Sequence, residues 1–321
     1  MSYKRSVLVT GGTSGLGYYA ALRLAKKHPD WLVVIASRTD NSQASASINN
    51  TTKQSNTLFL PLNLASLADT RTFVQEWKSR DFPAVQILLL NAALQTPGPV
   101  TRTGDGIETT FAIAHVGHAL LFHLLFSYLA PRARIVITSS GTHDPAKTKG
   151  VPPPEYISAE ELAHATSPSA SEPGRKRYAN SKLANVLWMY ALNRRINKIS
   201  PDKRPSVSAF DPGLMPGTGL ARDAGPFFRW IWHTALPRML PLLRCLVDPN
   251  IHTAEESGNN LAWVADEASD EEVSGFYFEG KTKIKSSVTS YEEEKQEDLW
   301  SWTTKRVSID EEEKKRFDQL I

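Results

Sequence analysis

The stretch TGGTSGLG, residues 10–17, decides the fold that this sequence predicts. It lies between an apolar run, Ser6 to Val9, and an amphipathic segment, Tyr18 to Lys27, a pattern that predicts strand, tight turn and helix. Glycines at such a turn let the backbone reverse and approach a ligand more closely than a Cβ would allow. The N-terminus of the helix then presents free N–H groups and a positive dipole to an anion. The stretch therefore predicts a pyrophosphate seat, although glycine turns of this spacing also occur in other folds for reasons of backbone shape.

Composition limits the class of protein. A chain of 321 residues with 41% hydrophobic content can bury a large core in a single domain. Its one cysteine, Cys245, excludes an intramolecular disulfide and a multi-cysteine metal site, and we expect it in the core of a protein from a reducing compartment. The formal net charge of +3 is too small to indicate a nucleic-acid partner.

No stretch of the sequence reads as a membrane span. The segment Pro226 to Val247 is interrupted by basic residues, and Ala119 to Ala130 is short and contains His123. The first strand follows Met1 too closely to leave room for a signal peptide. We expect a cytoplasmic protein, with peripheral membrane contact left open.

Strand and helix patterns alternate along the chain, which predicts an α/β fold with a doubly wound parallel sheet of about seven strands and helices on both faces. A polar, low-complexity stretch runs from Asp40 to Asn56, a lid-like insert spans 213–252, and a C-terminal extension spans 280–321 of the single domain 1–321. The predicted strands are Ser6–Val9, Trp31–Ala36, Thr57–Leu62, Val85–Leu90, Arg134–Thr138, Ser206–Phe210 and Gly275–Phe278. The predicted helices are Tyr18–Lys27, Ser66–Lys78, Ile107–Leu129, Tyr178–Asn197 and Thr253–Ala265.

A second constellation, YANSK at residues 178–182, begins one of these helices. Positions i and i+4 share a helix face, so the Lys182 ammonium can lie beside the Tyr178 phenol and favour its ionised form. This spacing is common by accident, with an exposed lysine and a half-buried tyrosine. Here it follows a strand that ends in Ser139-Ser140, and that strand end faces the same sheet edge as the glycine turn.

Together these residues resemble the short-chain dehydrogenase/reductase family, which has a Rossmann-type fold. The similarity runs over at least Ser6 to Gly219, and it includes the glycine turn, Asn91-Ala92, the serine after strand 5, YxxxK and Pro212-Gly213. Longer strings are similar to the branch of retinol dehydrogenases and light-dependent protochlorophyllide reductase: NLASL (63–67), NAA (91–93), HVGH (115–118), SKLAN (181–185) and TGL (218–220). The long loop between Ser140 and Tyr178 also resembles the latter enzyme.

The resemblance implies a role for each matching residue. Tyr178 would be the general acid toward a carbonyl or the base toward an alcohol, and Lys182 would lower its pKa and hold the nicotinamide ribose. Ser140, rather than Ser139, would hydrogen-bond the reacting oxygen. The residues implied to bind the cofactor are Gly11, Thr13, Ser14, Gly15, Leu16, Gly17, Ser37, Arg38, Asn63, Leu64, Asn91, Ala92, Ala93, Tyr178, Lys182, Pro212, Gly213 and Thr218.

The sequence departs from the family pattern at three positions. Asn63 replaces a common acidic residue near adenine, and its carbonyl oxygen can still accept an amino hydrogen bond. Ala93 replaces a glycine, as in the branch named above. Ala114 stands where that branch has an asparagine supporting a water relay from the lysine, so either a water fills the space or the chain has given up redox chemistry.

Ser37-Arg38 governs the expected choice of cofactor. An arginine after strand 2 offers a 2′-phosphate a charge-assisted fork, where a carboxylate would repel it, so we expect NADP(H). Alternatively, Arg38 stacks on adenine or points to solvent, and nearby Asp40 weakens the prediction.

The remaining candidates indicate little chemistry. His115, His118 and His143 have no metal-ligand neighbours in the sequence, so no metal is expected. The aromatic clusters 227–232 and 300–302 are typical of packing, although the first lies in the insert that closes over substrate in this family and suggests a large lipophilic ligand. A homo-oligomer is left open.

Three functions follow. The first is NADP(H)-dependent reduction of a carbonyl, or oxidation of a secondary alcohol, on a bulky lipophilic molecule such as a polycyclic or secondary metabolite. The second, suggested by Ala114, is a cofactor-binding relative with altered or non-redox activity. The third is reduction of a carbon–carbon double bond.

Overall fold

Eight strands form one sheet in the computed structural model, which describes residues 3–96, 98–147, 152–166, 169–202, 204–218, 225–269 and 273–320. The order across the sheet is β3-β2-β1-β4-β5-β6-β7-β8. Strands β1 to β7 run parallel, and β8 pairs with β7 in the antiparallel direction. The strands are β1 Arg5–Thr10, β2 Trp31–Ser37, β3 Thr57–Pro61, β4 Val85–Leu90, β5 Leu129–Thr138, β6 Ser206–Asp211, β7 Phe276–Glu279 and β8 Thr282–Ile284.

The central strand β1 lies between β2 and β4, with Val7 opposite both Val33 and Ile87. All three side chains are fully buried, as expected for parallel strands that are covered on both faces. The strand order reverses beside β1, and in open α/β sheets a ligand crevice lies at the carboxyl ends of the strands at such a point. The predicted doubly wound α/β fold is confirmed.

Helices cover both faces of the sheet. Helices α1 and α10 pack on one face, and α3, α5, α7 and α11 belong to the larger core on the other. The α-helices are α1 Gly15–Lys27, α2 Ala44–Thr52, α3 Leu67–Ser79, α4 Thr109–Phe111, α5 Gly117–Leu125, α6 Ala159–His164, α7 Gly174–Ile196, α8 Pro226–Trp230, α9 Leu240–Leu246, α10 Ala254–Asp266, α11 Glu293–Val307 and α12 Glu311–Gln319. Segments Ala112–Val116 and Ile231–Ala235 are π-helical, and 3₁₀ turns occupy Phe126–Tyr128, Gly141–His143, Ser169–Ser171, Leu236–Met239 and Val288–Tyr291.

Helix α2 lies in the stretch that the sequence predicts only as polar and low in complexity. The carboxylate of Asp40 accepts hydrogen bonds from the main-chain N–H groups of Ala44 and Ser45, which caps the helix from outside. Ala44 and Ile48 are its buried residues. Two apolar positions among polar ones produce little periodicity, so the sequence pattern does not indicate this helix.

The insert at 213–252 consists of short helical pieces, as its prolines predict. Helix α8, a π-helical turn, a 3₁₀ turn and α9 follow one another without a long straight helix. Cys245 lies on α9 and is exposed, so its predicted core position is wrong. Gly219 and Leu220 of the predicted TGL string lie outside the described residues, as do 148–151 and 167–168 of the long loop.

The C-terminal extension packs against the outer faces of α5 and α7. The Arg195 guanidinium of α7 lies 3.9 Å from the Trp300 ring centroid, and Phe317 stacks on His123 of α5 at 4.6 Å between centroids. Glu313 is buried and forms an ion pair with Arg71 at 2.6 Å. The extension therefore completes the core on this side.

One segment, Thr109–Tyr128, is long and apolar enough by length and composition to cross a membrane. Of its most apolar window, 78% is buried inside the protein. Its apolar character is explained by the core position of α5.

Candidate active site

A cleft of about 380 Å³ lies at the carboxyl ends of the central strands. It brings together residues from the loops after β1, β2, β3, β4, β5 and β6 with two residues of α7. Of the predicted site residues, Ser140 and Gly213 are the two outside its lining. The predicted residues that do line it are Gly11, Thr13, Ser14, Gly15, Leu16, Gly17, Ser37, Arg38, Asn63, Leu64, Asn91, Ala92, Ala93, Tyr178, Lys182, Pro212 and Thr218.

The glycine turn has the backbone shape that close approach to a ligand requires. Gly11 and Gly15 have φ of +67° and +54°, and a Cβ on Gly17 would lie 2.4 Å from the main-chain oxygen of Gly11. Ser14 is the N-cap residue of α1, yet its side chain makes no capping hydrogen bond. The first N–H groups of α1 are therefore directed toward the cleft, which suits the pyrophosphate of a dinucleotide.

Thr10 and Asn91 join the ends of the central strands. The Thr10 hydroxyl accepts hydrogen bonds from the main-chain N–H of Asn91 at 2.8 Å and of Ala92 at 3.0 Å. The Asn91 amide donates to the Thr10 main-chain oxygen at 2.9 Å and accepts from the Thr138 hydroxyl at 3.3 Å. Asn91 thus fixes β1, β4 and β5 relative to one another under the cleft.

Tyr178 and Lys182 lie on the same face of α7, as the spacing predicts. The lysine Nζ is 5.4 Å from the centroid of the phenol ring and donates a hydrogen bond to the main-chain oxygen of Thr138 at 3.0 Å. The Ser140 side chain lies near the phenol, just outside the lining of the cleft, and lowers the pKa of the phenol. The structure therefore brings serine, tyrosine and lysine together beside the cleft.

Burial shifts the pKa values of both Tyr178 and Lys182. Burial and, to a smaller extent, the nearby Asp211 carboxylate raise the pKa of the phenol to about 12, against the opposing effect of the Ser140 side chain. Burial also lowers the pKa of Lys182 to about 8. The expectation that Lys182 lowers the pKa of the phenol stays a prediction, since in this structure the ammonium bonds to Thr138 and its own burial disfavours its charge.

The two adjacent serines have different partners. The Ser139 hydroxyl donates to the main-chain oxygen of Lys182 at 2.9 Å, and this side chain is buried against α7. Ser140 is directed to the phenol and also accepts a hydrogen bond from the Thr142 N–H at 3.3 Å. Ser139 therefore anchors the catalytic helix, and Ser140 is the hydroxyl that stays beside Tyr178.

Asn185 belongs to the site although sequence reasoning gave it no role. Its amide donates to the same Thr138 oxygen that Lys182 contacts, at 3.1 Å. Its Oδ1 is buried without a partner among the described residues. In the sequence, the position of Asn185 three residues after Lys182 predicts that the two side chains share a helix face.

Asp211, at the end of β6, was also missed. Its side chain is 2% exposed and accepts hydrogen bonds from the Gly213 N–H at 2.9 Å and the Asn250 amide at 3.2 Å. Burial and the nearby Glu279 carboxylate raise the pKa of this carboxyl to about 6, against the opposing effect of the Gly213 hydrogen bond. In the sequence, Asp211 stands out as a carboxylate at the end of a predicted strand, directly before Pro212-Gly213.

Ala114 lies in the π-helical turn that precedes α5 and is 1% exposed. Its main-chain oxygen accepts a hydrogen bond from His118 Nδ1 at 3.1 Å, so Nδ1 carries the proton. Burial lowers the pKa of His118 to about 4, so the ring is neutral and Nε2 accepts from Thr10 at 2.9 Å. The histidine joins this turn to β1, and at Ala114 the side chain offers no polar group to the lysine.

The adenosine end of the cleft contains Arg38, which is exposed and has no ion-pair or hydrogen-bond partner within the described part of the chain. The nearby negative charge of Asp40, which weakens the prediction of a bound 2′-phosphate, accepts hydrogen bonds from the N-terminus of α2. Ser37 accepts a hydrogen bond from the Thr13 hydroxyl at 3.1 Å. The Asn63 Oδ1 accepts from the Ala65 N–H at 3.2 Å, which leaves its second lone pair for adenine.

The loop after β6 is shaped by Gly213, whose φ is +74°. A Cβ at this position would meet the main-chain oxygen of Asn250 at 2.2 Å, so Gly213 faces the base of the lid insert instead of the cleft. Pro212 and Thr218 line the cleft on either side of it. Gly213 therefore lies outside the lining of the cleft, and its predicted contact with a cofactor stays a prediction.

The histidines pack within the protein. His115 Nε2 is 2.9 Å from the Thr303 hydroxyl, and His143 Nε2 accepts a hydrogen bond from the Ser287 N–H at 3.0 Å. Within the described ranges, no group of three or more histidine, cysteine, aspartate or glutamate side chains could hold a metal ion.

Comparison with known proteins shows the family of this chain. The family model described as short chain dehydrogenase matches residues 5–150. Polyprenol dehydrogenase of Homo sapiens is 30% identical over 313 residues, which cover 95% of this chain and 86% of the relative. Protochlorophyllide reductase of Avena sativa is 30% identical over 325 residues, which cover 94% of this chain and 99% of the relative.

Solved structures share the fold. A protein from Mycobacterium paratuberculosis superposes with a TM-score of 0.68 at 22% identity, covering 95% of this chain and 94% of that one. A carbonyl reductase from chicken fatty liver, with NADPH bound, superposes with a TM-score of 0.60 at 18% identity, covering 88% and 99%.

Proposed function

Because this chain belongs to the short-chain dehydrogenase/reductase family of oxidoreductases, we propose that it uses NADP(H) to interconvert a carbonyl and a secondary alcohol on a bulky lipophilic molecule. The observation that carries this proposal is that Tyr178 and Lys182 share a helix face in the same cleft as the glycine turn, with Ser140 near the phenol. The cytoplasmic location predicted from the sequence is part of the same proposal.

The residues of the cleft fit a nicotinamide dinucleotide along its whole length. The turn at 11–17 would hold the pyrophosphate on the N-terminus of α1, and Arg38 would pair with a 2′-phosphate. Lys182 would reach the nicotinamide ribose, and Pro212 and Thr218 would flank the ring. Bound there, the nicotinamide supplies a hydride to a carbonyl carbon, or accepts one from an alcohol carbon.

The protein's own contribution is the proton. In the reducing direction, Tyr178 donates its phenolic proton to the oxygen of the carbonyl as the C–O double bond becomes single. A pKa of about 12 keeps the phenol protonated at neutral pH, which suits a general acid. Ser140 donates a hydrogen bond toward the same oxygen, where negative charge develops. In the oxidising direction, the same phenol must first lose its proton, and its burial opposes this step.

A lipophilic substrate is supported by the relatives and by the lid insert. Two of the relatives are named for polyprenol and protochlorophyllide, which are both large and mostly apolar. On the substrate side of the cleft, the apolar side chains of Leu94, Ile113 and Met215 line the wall. A compound with extended apolar surface would remove these side chains from water.

Two other functions remain as candidates because particular observations favour them. Ala114 favours a cofactor-binding protein with altered or non-redox activity, since its side chain cannot support a relay from Lys182. The similarity to protochlorophyllide reductase favours reduction of a carbon–carbon double bond. Analysis of the product distinguishes this reaction from carbonyl reduction, and NADPH oxidation distinguishes both reactions from a non-redox role.

The test is NADPH oxidation with a panel of polycyclic and long-chain aliphatic ketones, followed by Tyr178→Phe on the best substrate. The variant keeps the ring but deletes the transferable proton, so we expect turnover to fall about a hundred-fold or more while NADPH still binds. Tyr190→Phe is the matched control. It also removes a tyrosine hydroxyl from α7, but this hydroxyl is hydrogen-bonded to Ser286, away from the cleft. Parental turnover by Tyr178→Phe would overturn the proposed mechanism.

A further inference from the structure

The outer side of the lid insert is the most apolar exposed surface of the described chain. Eleven large hydrophobic side chains are exposed in these residues, and seven of them lie between Leu214 and Val247. We call six of them the lid face: Phe227, Trp230, Met239, Leu242, Leu246 and Val247. Phe227 is 75% exposed and Leu246 is 72% exposed. Scattered apolar side chains are normal on a surface, but a concentration of this kind marks a binding surface.

The same segment is purely basic. Residues 225–247 contain three arginines and no aspartate or glutamate. This gives residues 225–247 a formal charge of +3, with Asp248 directly after them. Arg229 and Arg238 are exposed among the lid-face residues, whereas Arg244 is paired with Glu256 of α10.

The inner side of the insert is attached to the cleft. Trp232 and Leu240 are buried, and the Trp232 indole donates a hydrogen bond to the main-chain oxygen of Thr218 at 2.9 Å. Thr218 lines the cleft, and His233 Nδ1 lies 3.1 Å from the main-chain oxygen of Gly217. The inner side of this segment therefore contacts residues at the edge of the cleft, and its outer side is exposed to solvent.

From these observations we propose that the lid face docks on the surface of an anionic phospholipid bilayer. Exposed leucine, phenylalanine and tryptophan beside arginine is the composition of helices that lie at a membrane interface, with the rings at headgroup depth and the guanidinium groups at the phosphates. Juxtaposed basic residues give further attraction to anionic lipid. A second copy of this chain would bring two lid faces of the same sign together, which opposes that occupant.

Docking places the cleft next to the lipid phase. Because Trp232 connects the docked segment to Thr218, a lipophilic molecule dissolved in the bilayer reaches the cleft by a short path along the insert. This part of the inference depends on the proposed function, whereas docking itself does not.

The experiment uses the single native cysteine. Cys245 is exposed on α9 beside Leu246, so a polarity-sensitive fluorophore attached to it reports directly on the lid face. The labelled protein is titrated with phosphatidylcholine vesicles, with and without phosphatidylserine, at low and high salt. We expect a blue shift that requires phosphatidylserine and weakens with salt.

Two variants and a control sharpen the result. Trp230→Ser with Leu246→Ser should weaken partition at least ten-fold, and Arg229→Gln with Arg238→Gln on the order of twenty-fold. Val288→Ser with Ile309→Ser removes two exposed apolar side chains outside the lid insert and should leave partition unchanged. Circular dichroism and NADPH binding check that each variant is folded.

Three outcomes would overturn docking: no shift with either vesicle, equal shifts with both vesicles, or a shift that depends on protein concentration in the absence of lipid. The last result identifies a second copy as the occupant. Vesicle binding without any NADPH-dependent turnover would leave docking standing and count against the proposed function alone.

Discussion

Lys182 and Asn185 donate hydrogen bonds to one acceptor, the main-chain oxygen of Thr138, at 3.0 and 3.1 Å. Thr138 is the last residue of β5, directly before Ser139-Ser140. The position of the lysine is therefore set by the end of the strand and shared with an amide on its own helix. In this arrangement Asn185 is a positioning residue for Lys182.

Asn185→Leu keeps the volume of the side chain and removes the amide. We expect turnover to fall about ten-fold, because Thr138 loses the donor that orients its carbonyl group and Lys182 is held less firmly. The pH profile of turnover should shift as well, which a purely structural loss would not produce. Asn180→Ala is the control on the same helix, since Asn180 bonds to Glu155 away from Thr138. Equal loss in both variants with no change of profile would count against the positioning role.

Arg38→Ala tests the choice of cofactor. The parent should bind NADPH more tightly than NADH, and the variant should lose most of the difference, because one charge-assisted phosphate contact is worth roughly 1.5–3 kcal/mol, or about ten- to a hundred-fold. Calorimetric titration of both cofactors measures this. Arg80→Ala removes an exposed arginine on the surface, outside the cleft lining, and should change neither affinity. Equal affinities in the parent would contradict the NADP(H) preference.

Asp211→Asn tests the buried carboxyl through the pH dependence of stability. Its folded pKa of about 6 is above the value of 3.8 for an unperturbed aspartate, so its favourable contribution is complete below pH 3.8 and is lost as pH rises through 6. The free energy of unfolding of the variant should therefore rise relative to that of the parent by up to about 3 kcal/mol between pH 4 and 7. Urea unfolding of both proteins across this range measures the difference.

The control for this experiment is Asp266→Asn. The pKa of Asp266 is lowered, despite the opposing effect of burial, by hydrogen bonds with His28 and Lys27. The contribution of Asp266 to stability is present above its unperturbed pKa and is lost as pH falls through its pKa in the folded protein. The difference in free energy of unfolding between this variant and the parent should therefore stay constant between pH 5 and 7. A level difference for Asp211→Asn as well would show that its carboxyl titrates normally.

Ala114→Asn tests the departure from the family pattern. If water occupies the relay beside Lys182, the added amide should change turnover by less than about ten-fold. The measurement is NADPH consumption with one accepted substrate, together with NADPH affinity to check that the crowded site still folds. A large increase of the rate from background would favour the interpretation that redox function has been lost.

The sequence predicted the parts of the structure that repeat a strong local pattern. Strand β4 was predicted with its observed bounds, because five of its six residues are apolar and the run ends at the polar Asn91. Ser66 caps α3 as predicted, accepting a hydrogen bond from the Asp69 N–H at 3.1 Å. The glycine turn and YxxxK lie at one cleft because parallel strands align their carboxyl ends.

What the sequence could not predict depends on contacts between distant segments. The pKa of Asp211 is raised by its burial and by Glu279 of β7, whereas the hydrogen bond from the Gly213 N–H lowers it. Burial and this same Asp211 carboxylate raise the pKa of Tyr178, and the i, i+4 spacing of Lys182 indicates neither effect. Cys245 was assigned to the core by its residue type, whereas its short helix turns it to solvent.

The packing of α11 and α12 on α5 and α7 has a consequence for biosynthesis. The sheet strands up to β6 and the catalytic helix are translated well before Trp300 and Phe317, which cover the outer faces of α5 and α7. At ordinary rates of translation, those apolar faces stay uncovered for roughly ten seconds on the ribosome. The catalytic helix of this protein therefore reaches its native environment only after the last two helices have emerged, and the nascent chain must be kept from aggregating until then.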